Sequence, residues 1–122
     1  MRKDYDLVRD ILLKIEASSV TDRMDDHYFV DESTDRDAIA FHLDLLIDAG
    51  CIIAKSFARK NAHSSHIVER MHDKGHEYLN TVRDNTVWKE TKKSIGSVLS
   101  SMSIDIIKGV ATDIALKLLG ID

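Results

Sequence analysis

Proline is missing from these 122 residues, cysteine occurs once and glycine five times. Proline breaks helices and removes a backbone donor. Its absence, beside apolar residues recurring at helical spacing, predicts a mostly α fold. A lone cysteine excludes an internal disulfide and fits a reducing cytosol. Cys51 sits among Ala49, Ile52 and Ile53 and reads as a small buried hydrophobe. No run approaches the roughly 18 apolar residues of a membrane span. The N-terminus enters Arg2, Lys3, Asp4 and Asp6 without the apolar stretch of a signal peptide. The expectation is a soluble, cytoplasmic protein that does not engage a membrane. A basic surplus is also missing. The net charge is −4, so a nucleic-acid partner would have to be met by a local basic face.

Catalytic signatures are equally scarce. There is no Gly-rich phosphate loop and no nucleophile elbow, and the carboxylates fall on solvated helix faces. This predicts a non-enzymatic protein without a cofactor. His63 and His66 lie three apart, and His72 and His76 lie four apart, a spacing that can share a zinc ion. The stretch His72-Asp-Lys-Gly-His76 lacks the general-base glutamate of a zinc-protease helix and has Gly75 inside it. No metal is expected, and the histidines read as surface residues, with His76 near a helix start.

What the chain does hold is 43% apolar residues, enough for one compact domain. The stretch Thr34–Ile53 is the most informative. Thr34 and Asp37 match the reciprocal pattern that caps a helix. Ile39, Leu43, Leu46 and Ile47 recur at helical spacing, and Gly50 supplies a left-handed stop. Cys51–Ile53 then reads as strand. The exposed side of this helix should carry Asp37, Ala40, Asp44 and Asp48.

Elsewhere, Asp4–Ala17 reads as a helix with Leu7, Val8, Ile11, Leu12 and Ile15 inward, and His27–Val30 as a short strand. Residues 51–58 and 65–71 read as a hairpin with imperfect alternation. Asp73–Asp84 and Val87–Leu99 read as helices, the second with Trp88, Thr91, Ile95 and Val98 in line. Ser94–Ser103 holds five serines and a glycine, which predicts a bend or break. Ser103 should cap a last helix, Ile104–Leu119, with Met102 and Ile107 placed as a hydrophobic staple.

Taken together, these elements resemble a winged helix-turn-helix domain over residues 1–84, followed by a helical extension over 85–122. The fold class is therefore mostly α with a small β-hairpin. Three stretches narrow the resemblance. They are Met1–Ile15, Ala40–Gly50 (Ala-Phe-His-Leu-Asp-Leu-Leu-Ile-Asp-Ala-Gly) and Gly75–Trp88 (Gly-His-Glu-Tyr-Leu-Asn-Thr-Val-Arg-Asp-Asn-Thr-Val-Trp). Through them nearly the whole chain is similar to a family of small bacterial and prophage proteins defined as a domain of unknown function. That family usually reads Arg-Leu-Thr before the Gly-His pair, where this chain has Arg70-Met71-His72. The resemblance implies the fold and brings no catalytic residues.

Charge divides the candidate surfaces. From Asp22 to Asp48 there are nine acids and two bases, Arg23 and Arg36. From Ala49 to Val68 there is no acid. A regulator that binds double-stranded DNA would use Lys55, Arg59 and Lys60 of the wing, with Arg36 and His42 as donors on the helix. The alternative is a protein-interaction module that offers Asp37, Asp44 and Asp48 to a protein partner. The last helix carries Ile104, Ile107, Ala111, Ile114 and Leu118 at alternating three and four spacing. Such a seam predicts a homodimer with Ile107, Ala111, Ile114 and Leu118 at its contact.

Overall fold

A computed structural model describes residues 1–121 of the chain. The first helix, α1 (Tyr5–Ala17), begins where the Asp4 carboxylate accepts the Leu7 amide. Its Leu7, Val8, Ile11, Leu12 and Ile15 form one buried stripe, as the spacing predicts. A two-residue strand, β1 (Met24–Asp25), follows. The strand expected at His27–Val30 is instead a short 3-10 helix, Asp26–Phe29, capped by the Asp25 side chain on the Tyr28 amide. That carboxylate captures the local amides before they can join a sheet.

Helix α2 (Arg36–Asp48) starts one residue later than the Thr34–Asp37 pattern implies. Asp35 is the cap, accepting from Ala38 at 2.9 Å, while Thr34 bridges back to Asp31. Ile39, Leu43 and Leu46 are buried, and Ala40, expected on the exposed side, is buried with them. The helix ends as expected at Gly50, whose φ is +74°, and the Cys51 amide returns to the Leu46 carbonyl at 2.9 Å.

Strands β2 (Ile52–Phe57) and β3 (Ser65–Met71) form the hairpin, and β1 adds to the far side of β3. All pairings are antiparallel. The register slips between Ile53 and Ala54, which accounts for the imperfect alternation of β2. Helix α3 (Asp73–Val82) packs against α1 and meets the junction of α2 and β2 at its first turn, where Gly75 approaches Cys51; its Tyr78, Leu79 and Val82 are buried. Cys51 is buried there too, and loss of solvation raises its thiol to about 11.

Helix α4 (Asn85–Ile95) is shorter than expected. It gives way at Gly96 to a 3-10 helix, Gly96–Ser101, within the Ser/Gly-rich segment. Val98 is consequently turned outward, half exposed. Helix α5 (Ile104–Leu118) starts at Ser103, whose hydroxyl accepts the Ile106 amide. Trp88, Ile104, Ile107 and Ala111 belong to the same buried cluster as the stripes of α1, α2 and α3. Ile107 and Ala111 are therefore covered by their own chain, which removes both from the expected dimer contact. Ile114 is half-buried, and Leu118 stands in water beyond the core.

Three polar ties fix the helices. The Trp88 indole and the Lys92 ammonium both donate to Asp6 Oδ1, at 2.8 and 3.0 Å. Burial opposes ionisation of Asp6, yet these donors outweigh it and hold its carboxyl below the usual range. Arg9 donates to the carbonyls of Val82 and Arg83, closing the end of α3. The Tyr5 hydroxyl donates to the Met102 carbonyl at 2.5 Å. No helix among the described residues is long and apolar enough to cross a membrane.

Candidate functional site

The hairpin is held against α2 by a buried polar cluster. Successive residues of a strand face opposite sides, so His66 points inward with Val68 while Ser65 and Ile67 point away. Inside, the His66 ring meets two carboxylates. Its Nδ1 lies 2.9 Å from Asp26 and its Nε2 lies 2.7 Å from Asp44. The His66 amide also donates to Asp26 at 2.6 Å. Asp26 is 3% exposed, and the Arg36 guanidinium lies 3.9 Å from it. Arg36 donates in turn to the Ser65 hydroxyl at 2.8 Å. The 3-10 helix, α2 and β3 are thus tied at one point. The three side chains bond one another rather than a common centre, and among the described residues no group of three ligating side chains could hold a metal ion.

This cluster changes the standing of several residues. Asp44 is not a free acid on an outer face, because it holds His66. Arg36 is partly buried and engaged by Ser65 and Asp26. His42 does not reach solvent at all. It is 1% exposed, its Nδ1 lies 2.7 Å from the Ala38 carbonyl, and its Nε2 accepts the Asp4 amide at 2.8 Å. A ring that joins the start of α1 to α2 has no donor left for DNA. His72 sits at the cap position of α3 and accepts the Asp73 amide, whereas His76 is exposed. Asp37 and Asp48 remain exposed.

The hairpin cations lie on β2 and in the turn that follows it. Lys55 is on β2, within 3.8 Å of the exposed Glu69. Arg59 and Lys60 are exposed in the turn, and among the described residues neither has a carboxylate within 4.0 Å. Beside them a cleft of about 460 Å³ opens between the turn end of the hairpin, the 3-10 helix and the start of α2. Arg23, Arg36, Arg59 and Phe57 line it together with the acids Asp25 and Asp26. Arg23 and Phe57 carry no linear motif that points to this cleft. The one sequence signal for the buried cluster is a histidine at an inward strand position, two residues before Val68.

Comparison with known proteins finds similarity over nearly the full length. A protein of Haemophilus influenzae described as uncharacterized is 34% identical over 121 residues, which cover 98% of this chain and 99% of the relative. No solved structure matches the chain. Residues 2–101, which run from α1 through the 3-10 helix after α4, match the family described as Hypothetical protein (DUF2513). The chain belongs to the DUF2513 family.

Proposed function

We propose that the protein is a winged helix-turn-helix regulator, bacterial or prophage in type, that binds double-stranded DNA through its basic hairpin. The supporting observation is the order of elements: helix, strand, short helix, helix and hairpin, with β1 and β2 flanking β3. In that layout the 3-10 helix and α2 take the places of the two helices of the motif, and the hairpin is the wing. The cations Lys55, Arg59 and Lys60 project from this wing; Lys55 faces Glu69 at 3.8 Å, while Arg59 and Lys60 have no carboxylate within 4.0 Å among the described residues. Helix α2 contributes less, since His42 is buried and Arg36 is engaged.

Titration on mixed genomic DNA fragments at two salt concentrations tests the reading. Replacing Lys55, Arg59 and Lys60 together by glutamine is expected to weaken binding about tenfold or more. It should also reduce the salt slope by close to one for each phosphate that is no longer neutralised. Asp37→Asn and Asp48→Asn should tighten binding by removing repulsion. Asp44→Asn is unsuitable here, because it would disturb His66. An unchanged salt slope in the triple variant would remove the wing from the DNA interface.

The exposed Asp37 and Asp48 favour a second reading, a protein-interaction module that uses α2. A partner that binds through them would lose affinity on the same asparagine changes that strengthen DNA binding.

A second copy is the proposed cover for the end of α5, where Leu118, Leu119 and Ile121 are exposed. Sedimentation at high micromolar concentration should show a dimer, and Leu118→Glu with Leu119→Glu should yield a monomer. A monomeric unmodified chain would end that proposal.

A further inference from the structure

Phe57 ends β2 with 51% of its surface exposed. It pairs across the ladder with Ser65, on the hairpin face turned away from the core. An exposed ring amid other apolar side chains would suit a protein surface. Phe57 instead lines a cleft with Arg23, Arg36 and Arg59 and the acids Asp25 and Asp26, and only Ile67 adds apolar floor.

The three arginines are not equally available. Arg36 is held by Ser65 at 2.8 Å and lies near Asp26. Arg23 is 78% exposed, and its one carboxylate neighbour, Asp25, is 4.0 Å away. Arg59 has no carboxylate within 4.0 Å among the described residues. The acids in the wall are already engaged. Asp25 accepts the Tyr28 amide, and Asp26 accepts from His66. Arg59 is therefore free to turn toward an anion beside an uncovered aromatic face, and the exposed Arg23 is tied only to Asp25, at 4.0 Å.

A ligand that uses both features carries a negative charge and a flat ring a short distance apart. A nucleotide unit has this form: guanidinium groups bind phosphate oxygens, and a phenyl ring stacks on a base. The faces of paired bases are covered within a duplex, whereas those of a single strand are open. The cleft is also within the size range of pockets that take small organic groups. We propose that this cleft holds one unpaired nucleotide of a single-stranded nucleic acid, its base stacked on Phe57 and its phosphate held by Arg23 and Arg59. This goes beyond the duplex reading and does not rest on it.

Fluorescence anisotropy of a labelled oligothymidylate strand, an abasic strand of equal length and a blunt duplex tests the proposal on the full chain. Phe57→Ala is expected to weaken oligothymidylate binding about tenfold, which is the loss of one stacked base. The abasic strand and the duplex should be unaffected by that change, and Phe57→Trp should retain affinity. Arg23→Gln with Arg59→Gln should weaken both strands and flatten their salt dependence. Circular dichroism confirms that each variant is folded, and Phe57→Leu repeats the test with the apolar bulk kept. The proposal is overturned if the unmodified chain does not bind the strand, or if the abasic strand binds equally well. It is also overturned if neither Phe57→Ala nor Phe57→Leu lowers affinity, or if equimolar thymidine monophosphate displaces the strand. Duplex affinity that falls with Lys55 and Lys60 but not with Phe57 reports on the winged-helix reading alone, so the two readings fail separately.

Discussion

Replacing His66 by alanine is expected to cost about 3 kcal/mol of folding stability, the order expected when a buried polar group loses its hydrogen-bond partner. The loss falls mainly on Asp26. At 3% exposure it cannot recover water, and it would keep only the His66 amide and the more distant Arg36. Asp44 loses less, because its side chain is 45% exposed and can be solvated in place. Removal of the ring also leaves a cavity between α2 and β3. Urea unfolding of the variant measures the cost. A loss below about 1 kcal/mol would mean that the cluster carries little stability, as exposed ion pairs do. The double variant Asp26→Ala with His66→Ala should cost less than the sum of the two single changes, since each single change strands the other partner.

Gly75→Ala is expected to destabilise the protein by about 3 kcal/mol, at the upper end of the usual cost of overpacking. A Cβ at Gly75 would sit 2.1 Å from the Cys51 carbonyl oxygen and 2.7 Å from Met71 Cγ. The methionine chain can turn aside. The carbonyl cannot, because it accepts the His72 amide at 2.8 Å at the head of α3. The first turn of α3 would have to lift from the junction of α2 and β2, and Tyr78 and Leu79 would lift with it. Gly109→Ala is the natural contrast. Nothing lies within 4 Å of a Cβ there, and the position is helical, so that change should stabilise by about 0.5–1 kcal/mol. Thermal or urea unfolding of both variants checks the pair. Equal and small effects would show that α3 does not depend on close backbone approach.

Local chemistry in the sequence was sufficient for most of the elements. Apolar residues at helical spacing in α1 and α2 can be buried in only one way, so Leu7, Val8, Ile11, Leu12 and Ile39, Leu43, Leu46 were legible as inner faces. Gly50 and Ser103 act through their own backbone and hydroxyl, within a few residues, and they end and begin helices where their chemistry requires. The Ser/Gly-rich run at 94–103 likewise shows itself as the break after α4. The basic turn at Arg59 and Lys60 is exposed because no neighbour in sequence or space covers it.

Tertiary structure decided everything that depends on partners far apart in the chain. Asp26 and His66 are 40 residues apart, and no linear spacing predicts that a histidine on β3 will find one acid on a 3-10 helix and another on α2. Partners 22 and 38 residues away turned Asp44 from a surface acid into a bonded one and drew His42 inward to the Asp4 amide. In α5 the periodicity of Ile104, Ile107 and Ala111 was readable, but a stripe does not say which surface covers it. The surface that α3 and α4 present covers those three and stops short of Leu118. A side chain's period follows from the helix it sits on, whereas its partner follows from how the whole chain closes, and the site residues of this protein depend on the second.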